Sequence, residues 1–226
     1  MTALELICSG DARLFQIVGL SLLVTLSATL LAAAGGMPLG ALLALSRVPG
    51  RHALIVLVNG AMGLPPVVVG LVVFLLLSRS GPLGELGILF TPQAMIIAQA
   101  ILILPIIAAL TRQVVEDLWS EYKDELTAMN VGGARRVATL LWDARFSLIT
   151  TLLAGFGRAA AEVGAVMIVG GNIDGFTRVM TTTIALETSK GNLALAIGLG
   201  LVLIAVILTV NALAWAARGW SERHVG

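Results

Sequence analysis

The sequence predicts an all-α, polytopic membrane protein of about five transmembrane helices. Two features of composition and one of patterning predict it. Hydrophobic residues fill 58% of the 226 positions and charged residues only 12%, whereas soluble domains are about a quarter charged. The charges are also clustered, leaving uncharged stretches at 14–46, 52–78, 86–111 and 191–217. Each exceeds the roughly 20 residues, at about 1.5 Å of rise apiece, that a helix needs to cross the hydrocarbon core.

In chain order, residues 1–16 form an N-terminal interfacial segment with Leu4, Leu6, Ile7 and Leu14 toward lipid. A cleavable signal is not expected, because Glu5 and Asp11 precede the first apolar run and no basic region does. The transmembrane domain then occupies 17–217. Its first stretch contains Gly35, Gly36 and Pro38, which predict tilt or a bend. The second carries Gly60, Gly63, Pro65, Pro66 and Gly70. Two adjacent prolines remove two backbone donors, giving either a kinked packing helix or a break that lines a pathway.

After the third stretch comes a long polar interval, 112–145, of which about 113–143 forms one element. Its expected form is a helix over 114–129, a stop at Gly132 and Gly133, and a second helix over 134–142. The second arm sets Arg135 and Arg136 beside Val137, Leu140, Leu141 and Trp142, a surface suited to lipid headgroups or a protein groove. The next span, about 146–170, is apolar except for Arg158 and Glu162, which lie four apart on one helical face. Charges inside a span are expensive unless paired or facing water. This pair therefore predicts either a pathway or subunit-interface role, or a mutual contact that fixes the helix. A glycine- and hydroxyl-rich loop follows, with Gly170, Gly171, Asn172, Gly175 and Thr181, Thr182 and Thr183, before the last span and the tail 218–226.

Five spans put the termini on opposite sides. Nine lysines and arginines fall on the side of the 112–145 interval, and four on the other: Arg13, Arg79, Arg178 and Lys190. The positive-inside rule then predicts the N-terminus outside and the C-terminus cytoplasmic. A lone Cys8 with only His52 and His224 predicts no metal centre. A net charge of +1 predicts no nucleic-acid partner. No Ser-His-Asp, Cys-His or paired-His constellation lies within the spans, so an embedded enzyme is not expected.

The segment ELTAMNVGG at 125–133 resembles the coupling loop of ABC importer permeases, whose pattern is Glu-Ala-Ala, three residues, then Gly. Glu125, Ala128 and Gly132 are the matching positions; Leu126 stands where alanine is usual. LPPVVVGL at 64–71, LPIIAALT at 104–111 and GRAAAEVGAVMIVGGN at 157–172 occur in the order seen in oxyanion importer permeases. With ARF at 144–146 and TRVMTTTIALETSKGNL at 177–193, the chain looks like the tungstate branch of that group, close to the molybdate permeases.

The resemblance implies a type I ABC importer permease fold in the prokaryotic cytoplasmic membrane, with two copies of this chain forming the pathway. It implies a pair of cytoplasmic ATPase subunits docked on the coupling loops and an extracytoplasmic oxyanion-binding protein. ATP and Mg would act through the ATPase, since this chain has no Gly-rich phosphate loop and needs no cofactor of its own. Glu125, Ala128, Gly132, Gly133 and Arg135 would couple to the ATPase, while Asn172 and Thr181 to Thr183 would form an outer loop or gate. A secondary transporter is the alternative that the broken second span and the Arg158 and Glu162 pair suggest.

Overall fold

The computed structural model describes residues 12–46 and 49–225, and those residues form helices and turns without a strand. Most of the predicted interfacial segment 1–16 and Gly226 of the predicted tail lie outside the described residues. Three helices are long and apolar enough to cross a membrane: α1 (Ala12–Leu45), α4 (Pro92–Ala128) and α9 (Leu193–Val225). The others are α2 (Arg51–Ala61), α3 (Pro66–Leu77), α5 (Gly133–Asp143), α6 (Arg145–Ala160), α7 (Gly164–Gly170) and α8 (Met180–Ser189).

The expected bend in the first stretch does not interrupt its helix, which runs unbroken through Gly35, Gly36 and Pro38. Its glycines serve packing instead. Small residues recur every four positions, at Ala28, Ala32, Gly36, Gly40 and Ala44, and make a ridge against α4. A Cβ on Gly36 would stand 3.0 Å from the carbonyl oxygen of Leu104, and one on Gly40 2.4 Å from that of Ala108. A step of four along α1 thus matches a step of four along α4 in the same sense, so the two helices run parallel.

Parallel neighbours require a return crossing between them, and the second stretch supplies it as two pieces. It is not one kinked helix: α2 ends at Ala61, residues 62–65 turn, and α3 restarts at Pro66 at an angle of 99°. Pro66 occupies the first turn of α3, where its missing N–H costs nothing. The stretch at 146–170 is likewise not one unbroken helix. α6 ends at Ala160 and α7 begins at Gly164, the pair running antiparallel to α4. Gly155 rests on Ile107, the carbonyl of Ala159 accepts from Gln99, and Gly170 rests on Met95. α9 packs on α8 and α6 and runs in the same sense as α1, sharing one cavity through Leu203 and Val206 with Ser21 and Thr25, and another through Val210 with Leu26 and Leu30. Three unbroken crossings and two broken ones result, with the starts of α1, α4 and α9 at one end of the bundle and their last turns at the other.

The polar interval also differs from expectation. Its first arm is not a separate helix but the continuation of α4, which runs 37 residues without interruption. The apolar side of α5 is not left for lipid, because Leu140 is fully buried and Val137 and Leu141 pack with Ala41, Ala44, Val115 and Leu126. Arg51 anchors this end: its Nε donates to the carbonyl of Leu43 (2.7 Å) and its Nη2 bonds Glu116, whose other oxygen accepts from Arg112. One carboxylate thereby ties α2 to α4, while the Arg51 guanidinium ties α2 to the last turn of α1.

Candidate functional site

The first candidate is the elbow between α4 and α5. α4 closes with Asn130 in the left-handed region (φ 52°), not with a glycine. The N–H of Asn130 donates to the carbonyl of Thr127 (3.0 Å) and that of Val131 to the carbonyl of Leu126 (3.1 Å), while Val131 packs in the same apolar cluster as Leu126. These are the bonds and the apolar contact of a Schellman stop. Gly132, expected to stop the helix, is extended (φ −66°, ψ 157°). A Cβ on Gly132 or Gly133 would meet nothing within 4 Å. Nothing inside the chain requires either residue to be glycine. Glu125, Ala128, Met129 and Arg135 are exposed around the same elbow. Arg136 points inward, stacked 4.7 Å over Trp119 and bonded to the carbonyl of Val131, and this holds α5 at its angle to α4.

The second candidate is the junction of the two helix breaks. Arg158 Nη1 donates to Glu162 Oε2 (2.7 Å), but the two are not on one continuous helix: Glu162 stands in the break after α6. Its Oε1 accepts from the N–H of Ala165 (3.1 Å), and so caps the first turn of α7. Thr181 Oγ1 donates to the Glu162 carbonyl (2.8 Å), and Gln99 Nε2 donates to the Ala159 carbonyl (3.0 Å). The backbone carbonyls that the break frees therefore receive donors from α8 and α4, as a low-dielectric surrounding demands.

The other break is adjacent. A Cβ on Gly164 would stand 2.9 Å from Val67 Cγ2, and one on Gly70 2.7 Å from Ala165 Cα, so α3 and α7 begin side by side. The depth follows from Gln99, which sits near the middle of the uncharged stretch 86–111.

The third candidate, the segment expected to be an outer loop or gate, separates on inspection. Asn172 is in the left-handed region (φ 49°) and half-buried, in a turn that Thr177 braces between the Ile173 N–H and the Gly170 carbonyl. Thr182 and Thr183 are not loop residues. They are buried in the first turn of α8 and bond the backbone of Val179. Thr181 faces the break, as described. Three participants were not read from the sequence. Asn130 is hidden because two glycines follow it, and Gln99 because a single amide in an apolar run has no periodic signal. The third is the exposed face of α6, whose Ser147 and Thr150 recur at helical spacing and were legible.

No family model matches this chain. It is 43% identical over 214 residues to a probable anion ABC transporter permease protein of Haloferax volcanii, covering 90% of this chain and 91% of that one. It is 40% identical over 210 residues to the tungstate uptake system permease protein TupB of Peptoclostridium acidaminophilum, with 93% and 92% covered. It is 42% identical over 155 residues to the TupB protein of Campylobacter jejuni, with 69% and 65% covered.

Proposed function

The chain belongs to the permease subunits of ABC importers, in their oxyanion group, and we propose that it carries tungstate inward across the cytoplasmic membrane by alternating access. Two copies would form the pathway, a binding protein would deliver the anion, and an ATPase dimer would supply the energy through ATP and Mg. Likeness to the TupB proteins supports the cargo. Tungstate and molybdate are tetrahedral dianions of nearly equal size, so the cargo is tested by competition. ATP-dependent tungstate uptake that excess molybdate barely inhibits supports tungstate; equal competition widens the cargo to both.

The observation that carries the coupling is the pair of unexplained glycines at the elbow. The fold itself leaves Gly132 and Gly133 room for any side chain, in an ordinary extended or helical backbone. Close approach of another protein's surface accounts for their bareness. Glu125, Ala128 and Arg135 would border the contact, and the rigid continuation of α4 would carry motion from the ATPase into the membrane.

Gly132→Leu should leave the amount of folded chain in the membrane unchanged while abolishing uptake and the link between ATP hydrolysis and transport. Glu125→Ala should act in the same direction with smaller effect. Normal transport by Gly132→Leu would remove the elbow from the docking surface.

The distribution of charge supports an orientation. At the end of the bundle that carries the elbow lie Arg51, Arg112, Lys123, Arg135, Arg136 and Arg145; at the other lie Arg13, Arg79, Arg178 and Lys190. This supports the elbow and the C-terminus as cytoplasmic.

A further inference from the structure

On the reading of this chain as an oxyanion importer subunit, we propose that the exposed face of α6 lines the anion's aqueous route and that Arg158 is the cation the anion meets halfway across.

α6 is turned inside out for a helix in lipid. Its exposed positions are Ser147, Thr150 and Ala154, with Arg158 half-exposed and Ala161 exposed just past its end, while Leu148 and Phe156 are buried. The spacing places these exposed residues on one face. Between this face and α4 lies a cleft of about 300 Å³ that Gln113, Ser147, Thr150 and Thr151 border together with the apolar Leu110, Val114 and Ala154. Hydroxyl and amide donors of this kind suit an anion that keeps part of its hydration.

Arg158 supplies the independent observation. Its side chain is 34% exposed and uses Nη1 on Glu162; among the described residues Nε and Nη2 have no partner. A guanidinium with open donors at this depth cannot face hydrocarbon, where an unmet donor costs several kcal/mol. Its open donors call for water, an anion or an acceptor on the second copy, and the cleft beside it favours the aqueous choice.

Glu162 lies behind it, its side chain 3% exposed and its second oxygen held by the N–H of Ala165. The carboxylate fixes the guanidinium and offsets its charge. A dianion then meets an oriented pair of donors without a net charge that would trap it, and this suits passage better than tight binding.

The test uses the assembled importer with its ATPase and binding protein. Arg158→Gln should reduce ATP-driven tungstate uptake per folded complex at least tenfold, and Arg158→Lys should retain part of it. Wild-type uptake by the double Arg158→Met, Glu162→Met variant would overturn the proposal and make the pair structural. Accessibility gives a readout independent of cargo. In a Cys8→Ser background, Thr150→Cys and Ala161→Cys should react with a charged, water-soluble thiol reagent, and tungstate should slow the reaction at Ala161→Cys. Ile204→Cys, on the exposed side of α9, should not react. Thr150→Cys and Ala161→Cys as inert as Ile204→Cys would overturn the proposal. A wild-type complex that took up no tungstate would sink the cargo assignment, whereas labelling of both cysteines would still support the aqueous face.

Discussion

α9 and α6 are both apolar crossings of one bundle, yet they expose opposite chemistries. α9 shows Ile197, Leu201, Ile204 and Leu208 outward, each more than half exposed, and the groove it forms with α1, about 610 Å³, is bordered almost wholly by aliphatic side chains. α6 leaves none of its large apolar residues fully exposed, and what it exposes is hydroxyls, an alanine and part of a guanidinium. In water such a reversal would read as a misassembled surface. In a membrane it teaches which surfaces meet lipid: α9, like α2 and α3 with Val56, Leu57, Val67 and Leu75, presents what acyl chains can solvate.

The largest effect that separates the two faces is a new charge. Ile204→Arg puts a cation where nothing can pair it, at a cost of about 2.5–3.5 kcal/mol for a charge near the centre of a span. The amount of chain integrated into the membrane should fall severalfold. Thr150→Arg, on the cleft side of α6, should leave that amount nearly unchanged. Equal losses would erase the distinction. Next in size is the reverse exchange. Ser147→Leu with Thr150→Leu should leave abundance intact while reducing uptake severalfold, because the cleft loses its donors and its width; Leu201→Ala should alter neither.

Much of this was legible, and the parts that were not share a cause. Uncharged stretches give the crossings because burial in lipid depends on composition over some 20 residues. Pro65 and Pro66 reveal the second-span break because proline acts locally. The break at 161–163 has no such mark: Ala160, Ala161 and Glu162 are all good helix formers. It exists because Glu162 caps α7, while Gln99 and Thr181 reach the backbone carbonyls on either side. Those bonds come from helices distant in sequence. The helix stop at Asn130 was misplaced onto Gly132 for a similar reason, since the contact of Val131 with Leu126 chooses the register and two glycines offer no competing grip.

A smaller effect tests the break itself. Glu162→Gln keeps an acceptor for the N–H of Ala165 but removes the charge facing Arg158, so the guanidinium loses its ion pair at the middle of a span. The variant should be worse tolerated in thermal unfolding of the detergent-solubilised protein than the double Arg158→Met, Glu162→Met change, which removes both charges. The reason is that the single change removes one partner of a half-exposed and buried pair, whereas the double change leaves no charge to be compensated. A single variant as stable as wild type would mean that water screens the Arg158–Glu162 pair fully, as the aqueous face of α6 allows.

The smallest effect concerns the acid that sharpens the contrast with Arg158. Glu187, near the end of α8 and outside the crossings, is buried with both oxygens engaged, by Lys190 Nζ (2.9 Å) and Asn192 Nδ2 (3.0 Å). These hydrogen bonds, outweighing the burial that opposes them, hold its carboxyl below its ordinary value of 4.5. A carboxyl depressed by folding contributes stability that is fully present above the unfolded value and is lost as pH falls through the lower folded value. Amide exchange in the 187–193 turn should therefore stay slow at pH 6 and accelerate only below about 4.5, after separation of the intrinsic pH dependence of exchange. Glu187→Gln should flatten that profile. A turn equally protected in both proteins at every pH would place its stability in the backbone bond from Asn192 N–H to the Glu187 carbonyl, leaving the side chain no part in it.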